Sequence, residues 1–228
     1  GLGDSVTWGY GASDRKETAA FWVALRRVKK GGLDARFLNL ASNGSTSFDH
    51  VTSQIPALTQ HVNGLRTALG PDAFKDFMSR VRVEVMLTSG GNDVLHDHGT
   101  AGTTPRPDAM FGCSTAQARA WAPMFARRLR RLVDAVEQEF PGRARIHLAT
   151  IFDPTDGTGL IEKLPRMSDP TSDADWASKA SHLPAWTSGR SAGLEVLEIW
   201  NGVIREVASG AANVALVDMH ALFTGHGY

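Results

Sequence analysis

With 228 residues, of which 42% are hydrophobic and 21% charged, the chain has the composition of a single globular domain with a sizeable core, and this excludes a disordered or fibrous protein. Lys and Arg together number 24, as do Asp and Glu, so no global field draws in nucleic acid or an anionic membrane surface. Cys113 is alone, which rules out an internal disulfide and a thiolate zinc site, and no apolar run reaches the length of about 18 residues that a membrane span needs.

The chain opens on "GLGDSVTWGYGAS", residues 1–13, where Gly, Asp and Ser suit a tight turn by backbone geometry alone. A strand of about five residues is expected before such a turn, and only Gly1 and Leu2 stand there. Ser13 reads as the N-cap of a helix over residues 14–30, with Phe21, Trp22, Leu25 and Val28 on its buried side and "KKGG" as its stop. "RFLNLA", residues 36–41, reads as a strand. A second helix is predicted over residues 48–69, with Val51, Ile55, Leu58, Val62 and Leu65 in register and a kink at Pro56.

"VRVEVMLTS", residues 81–89, is the next strand, followed by a Gly-rich segment and a long helix over residues 114–140. Trp121, Phe125, Leu129, Leu132, Val136 and Phe140 form the apolar side of that helix. Its "RRLRRL" run lacks interleaved aromatics and reads as a solvated face, not a nucleic-acid site. A strand "ARIHLATIF" (144–152), a helix over 194–208 and a strand "NVALVDMH" (213–220) complete the series. The alternation predicts one domain over residues 1–228, a three-layer α/β/α sandwich on a central parallel sheet with right-handed crossovers. Residues 153–193, rich in Pro, Ser, Asp and Gly, form a long loop excursion near the ligand-binding edge of such a sheet. Trp176 and Trp186 either line a substrate surface there or anchor the excursion.

Segments that follow successive parallel strands converge at one edge of a sheet. Here they are "GDS" (3–5), "SNGSTS" (42–47) and "GGND" (90–93). Together they supply a serine hydroxyl, a glycine N–H and an asparagine amide. A serine oxygen attacking a carbonyl generates an oxyanion, which needs donors fixed in advance. Ser5 is the candidate nucleophile, with its own N–H, the Gly44 N–H and the Asn92 amide as candidate oxyanion donors.

These blocks resemble those of the SGNH (GDSL) hydrolases, serine esterases and lipases on a flavodoxin-like α/β/α fold. The family's first block is Gly-Asp-Ser, its second contributes a glycine and its third is Gly-x-Asn-Asp; here they read Gly3-Asp4-Ser5, Gly44, and Gly90-Gly91-Asn92-Asp93. The resemblance runs from residue 1 to about 220. It implies ester hydrolysis through an acyl-enzyme, with no metal or organic cofactor. The Gly-x-Ser-x-Gly elbow of the α/β-hydrolases is absent.

The family's fourth signature, Asp-x-x-His, supplies the base and the carboxylate that orients it, and it has no clean copy here. "VDMHALFTGHGY", residues 217–228, offers Asp218-x-His220, one residue short, and His226. Four readings stay open. Both ends read as cut inside secondary structure, so the sequence is expected to be an excerpt whose acid and base lie past Tyr228. Otherwise His226 is the base with Asp218 orienting it, His220 pairs with Asp218, or catalysis has been lost. His96 and His98 are expected at the rim or against substrate, and His50, His61, His147 and His182 as structural or surface residues. Cys113 reads as a packed or incidental thiol.

The expected substrate is a small-molecule ester, with small acyl groups and acetylated carbohydrates favoured and lipid or thioester substrates open. A non-catalytic ligand-binding protein on the same fold is the alternative reading. A metal-dependent phosphoesterase is disfavoured, because the additional His and Asp ligands are missing. No nucleic-acid partner and no membrane span are expected. Compartment, cytoplasmic or secreted, and oligomeric state stay open.

Overall fold

The apolar runs bounded by turn residues form a sheet in which every strand points the same way. Its strands are β1 (Leu2–Gly3), β2 (Val83–Thr88), β3 (Ala144–Ala149) and β4 (Val214–Val217), in the order β1-β2-β3-β4. Leu2 pairs with Leu87, Val85 with Ile146, and Ile146 with Val214, all in parallel register. The computed structural model describes residues 1–9, 26, 30–31, 36–95, 115–153 and 190–225. The buried side predicted for the helix over 14–30, nearly all of the excursion after Asp153, and His96, His98, Cys113, Trp176, His182, Trp186 and His226 lie outside the described residues.

Residues 36–41 are extended but are not a full strand. They lie along the free edge of β1, where Leu38 O accepts from the Gly1 amino group at 2.7 Å, Leu40 N donates to Gly1 O at 2.9 Å, and Ser42 N donates to Gly3 O at 3.1 Å. The ladder breaks at Gly3, whose N–H turns to the Gln54 side chain instead. Counting this edge segment, the order across the sheet is 2-1-3-4-5, that of flavodoxin-like sheets, with the C-terminal ends of the strands aligned along one edge.

Period-two burial along β2 and β3 turns Val85, Leu87, Ile146 and Leu148 into the core. Against them pack Leu58 and Val62 of the helix Ile55–Leu69, Phe125, Leu129, Leu132 and Val136 of the helix Thr115–Glu139, and Trp200, Ile204 and Val207 of the helix Arg190–Ser209. The predicted apolar stripe of the long helix is therefore its buried side. Arg127, Arg130 and Arg131 face solvent, with Arg130 paired to Glu206 at 2.5 Å.

Three elements differ from the sequence expectation. The helix over 48–69 is not one regular α-helix; it runs Ser47–Asp49, then a π turn His50–Gln54, then Ile55–Leu69 with Pro56 in the first turn. A proline inside a regular α-helix clashes with the carbonyl four residues back, and the wider turn, closed by Ile55 N–H on His50 O, places that ring at a helix start. Pro71–Arg80 forms a further helix, begun by Pro71 after Gly70 at φ +76°. The last strand stops at Val217, because Asp218 accepts from Ala221 N and caps a short helix Met219–Phe223.

Leu132 is 1% exposed in the middle of this core. Leu132→Ala is expected to cost about 2–5 kcal/mol, the range for a buried leucine that leaves a cavity, read as a lower urea midpoint at unchanged slope.

Candidate active site

The first of the three converging segments begins at a strand exit that only glycine fits. Gly3 has φ +124°, and a Cβ placed there would stand 2.1 Å from Thr88 O. Its N–H donates to Gln54 Oε1 at 2.8 Å, and its carbonyl accepts from Gln54 Nε2 at 2.7 Å. Asp4 follows, 5% exposed, and caps the helical turn Ser5–Trp8 by accepting from Val6 N at 3.0 Å. The same oxygen accepts from the Thr88 hydroxyl at 2.6 Å, and Thr88 also shares a hydrogen bond with Thr7 at 2.8 Å. Burial pushes the Asp4 carboxyl above its ordinary range, against the Thr88 and Val6 hydrogen bonds. Ser5 is thus the first residue of a capped turn. It is half-buried, and its hydroxyl makes no hydrogen bond among the described residues.

The second segment is a tight turn over residues 42–45, closed by Ser45 N on Ser42 O at 3.2 Å, with Gly44 at φ +76°. Thr46 N donates to Asp49 Oδ2 at 2.8 Å and fixes where the next helix begins. The third segment leaves β2 through Gly90, at φ +99°, where a Cβ would lie 2.7 Å from Phe125 Cζ and 2.9 Å from Trp200 Cδ1. The short helix Gly91–Leu95 then carries Asn92, whose Nδ2 donates to Ser45 O at 2.8 Å. An amide nitrogen has two N–H donors, so one remains after this bond. Asp93, 1% exposed, accepts from Ser47 N at 2.8 Å and from the Ser47 hydroxyl.

The Ser5, Gly44 and Asn92 segments are therefore bonded to one another: Ser42 to Gly3, Asn92 to Ser45, and Thr88 to Asp4. Asp218 and His220 stand at the other side of the sheet, beyond β4. Asp218 accepts from Ala221 N at 3.2 Å and from the Thr150 hydroxyl at 2.9 Å. Burial alone would raise its pKa, but these two donors with Arg205 and His220 hold the carboxyl below its ordinary range. The His220 imidazole faces Glu198 instead, Nε2 to Oε1 at 3.2 Å. Of the other histidines, His50 is 1% exposed with Nδ1 3.0 Å from the Ser89 hydroxyl, His61 is exposed, and His147 pairs with Glu84 at 2.6 Å. Among the described residues no imidazole is bonded to the Ser5 hydroxyl, and no group of three or more His, Cys, Asp or Glu side chains is arranged to hold a metal ion.

The chain in which Gly-Asp-Ser, the Gly44 turn and Gly-x-Asn-Asp meet along one edge of a parallel sheet is matched over residues 2–228 by the model of the GDSL-like Lipase/Acylhydrolase family. The chain belongs to that family. Its fold is the SGNH hydrolase fold, a three-layer α/β/α sandwich, and its role is that of an ester hydrolase acting on small-molecule esters. No curated protein matches the chain. No helix among the described residues is long and apolar enough to cross a membrane.

Sequence reasoning passed over Gln54 and Thr88, which hold the three segments in place, and gave no role to Ser47 and Asp93, which stand inside the marked blocks and bond to each other. Thr88, two residues before Gly90, had a signal in its position; Gln54 had none.

Asp4 gives a pH test. A carboxyl whose folded pKa is raised above 3.8 stabilises the fold most below that value and loses the contribution as pH climbs through the folded pKa. Asparagine keeps the acceptor for Val6 N–H and cannot ionise. Asp4→Asn is therefore expected to match the parent in Tm near pH 4 and to gain on it as pH rises toward 8, levelling off once the folded Asp4 has ionised. A difference that stays flat across that range contradicts the burial argument.

Proposed function

We propose that the chain is a serine esterase that cleaves carboxylic esters through an acyl-enzyme on Ser5. The observation that carries this reading is the Ser5 hydroxyl, unbonded among the described residues, on a turn whose cap and strand exit are hydrogen-bonded and tied to the Gly44 turn and to Asn92. Ser5 Oγ attacks the acyl carbon while its proton passes to an imidazole. The carbonyl oxygen becomes an oxyanion held by the Ser5 N–H, the Gly44 N–H and the second Asn92 N–H. The alcohol leaves with the proton, and water activated by the same imidazole then releases the acid and frees Ser5.

His226 is assigned as the base, with Asp218 as the carboxylate that favours its charged form; His220 is the second candidate. In support, Asp218 is held ionised at neutral pH by the hydrogen bonds that cap the final short helix. The proposed substrates are esters of small acyl groups, including acetylated carbohydrates, with no metal or organic cofactor required.

A fluorophosphonate probe located by mass spectrometry is expected to label Ser5 and to label nothing in Ser5→Ala. Asn92→Ala is expected to lower kcat for a short acyl ester by about a hundred- to a thousandfold, the range for loss of one oxyanion donor. His226→Ala abolishes labelling if the assignment holds; labelling lost only in His220→Ala moves the base to that residue. Labelling found only in a version extended at both ends places the base past Tyr228, and labelling absent from both favours the binding-protein reading on the same fold.

A further inference from the structure

The chain that presents Ser5 lacks a backbone acceptor at one point, the Gly3 N–H, although the Gly3 carbonyl still accepts from Ser42 N at 3.1 Å. A residue in a parallel strand normally exchanges its N–H and C=O with the adjacent strand. At the edge of β1, Gly1 does so with Leu38 and Leu40, but the Gly3 N–H, next in the ladder, donates to Gln54 Oε1 at 2.8 Å. Gln54 Nε2 returns a hydrogen bond to Gly3 O at 2.7 Å and lies 3.5 Å from the Ser45 hydroxyl. A primary amide offers an acceptor and a donor side by side, as a peptide group does. Gln54 is 4% exposed, so neither bond is exchanged with water. It ends the π turn His50–Gln54, and His50 at the start of that turn reaches Ser89, the residue before Gly90. One turn of helix thereby holds the strand exits of both the Ser5 and the Asn92 segments, and π turns are frequent at functional sites.

We propose that Gln54 is a positioning residue for the nucleophile: its buried amide supplies the acceptor that the neighbouring chain does not offer the Gly3 N–H, joins Ser42 N–H on the Gly3 carbonyl, and fixes the backbone from which Ser5 projects. The assignment rests on Ser5 being the nucleophile. Gln54 touches no reacting atom; it acts through Gly3 and Asp4. A displacement of about 1 Å in a nucleophile costs on the order of a hundredfold in rate, and a site positioned this way loses kcat while substrate binding is kept.

The test compares the parent with Gln54→Met, Gln54→Glu and Leu132→Ala, measuring kcat and KM for a short acyl ester across pH and the rate of fluorophosphonate labelling at Ser5. Gln54→Met keeps the volume and removes both hydrogen bonds; it is expected to lower kcat and the labelling rate by about ten- to a hundredfold, with KM within about twofold. Leu132→Ala, in the core and outside the three segments, weakens the fold and leaves kcat unchanged. Gln54→Glu is the rescue. A protonated carboxyl offers the same donor and acceptor as the amide, whereas the carboxylate turns a second acceptor toward Gly3 O. Its activity is therefore expected to approach the parent's at low pH and to fall as pH rises, adding an alkaline limb that the parent lacks. Parent-like labelling in Gln54→Met, or a Gln54→Glu profile parallel to the parent's, overturns the Gln54 assignment while the reading of Ser5 stands. A parent that labels elsewhere, or that does not label even when extended at both ends, overturns both. If Gln54→Met does not fold, the pH profile of Gln54→Glu decides alone.

Discussion

The approach of β1 to β2 at Gly3 sets the geometry of everything around the candidate nucleophile. A Cβ on Gly3 would stand 2.1 Å from Thr88 O, so the two backbones meet only because that side chain is a hydrogen atom. The close approach brings the Thr88 hydroxyl to 2.6 Å from Asp4, and the Asp4 carboxyl then starts the helical turn with Ser5 as its first residue. Gly90 repeats the constraint at the end of β2, lying over the stacked rings of Phe125 and Trp200, whose centroids are 5.2 Å apart. The nucleophile segment and the Asn92 segment are thus anchored by glycines pressed against packed groups.

Beyond those exits the sheet is held by side chains in the role of strands. Gln54 closes on both polar groups of Gly3, and Asn201 does the same for Ile151 after β3, accepting from its N–H at 2.8 Å and donating to its carbonyl at 2.9 Å. Asn201 is fully buried and Gln54 nearly so. A buried amide with one half unsatisfied costs about 1–3 kcal/mol, so each such residue fixes an orientation as well as a distance. A backbone ladder would continue as more strand; a side-chain amide ends the pairing and leaves the following residues free to form a loop.

The strands and the apolar stripes were legible in the sequence because burial imposes a period on it. Phe125, Leu129, Leu132 and Val136 repeat as a helix requires, and all are buried. The blocks around Ser5, Gly44 and Asn92 were legible because close backbone approach at Gly3 and Gly90, and a positive φ at Gly44, demand glycine at fixed places. Gln54, His50 and Asn201 were not legible: a polar residue in a helical run looks the same whether its side chain meets water or a buried backbone group. Asp218 misled for a related reason. The alternation of Val214 to Val217 continues smoothly into it, and only the bond from Ala221 N shows that it caps a helix.

His50 bears on where the base comes from. Burial lowers its pKa to about 4, with the nearby Asp49 charge opposing only part of that shift, so the imidazole is neutral at physiological pH and a weak proton acceptor. Its Nδ1 is committed to Ser89, which suits a pin between the π turn and the end of β2. The conditions for a base are the reverse: exposure, and a carboxylate that stays charged to favour the imidazolium. The exit of β4 meets them. Asp218 there is held ionised by Ala221 N–H, the Thr150 hydroxyl and Arg205 despite its partial desolvation. On the proposed mechanism, a proton leaving Ser5 would therefore move toward the β4 side of the sheet edge and away from the helix that packs against the Ser5 segment.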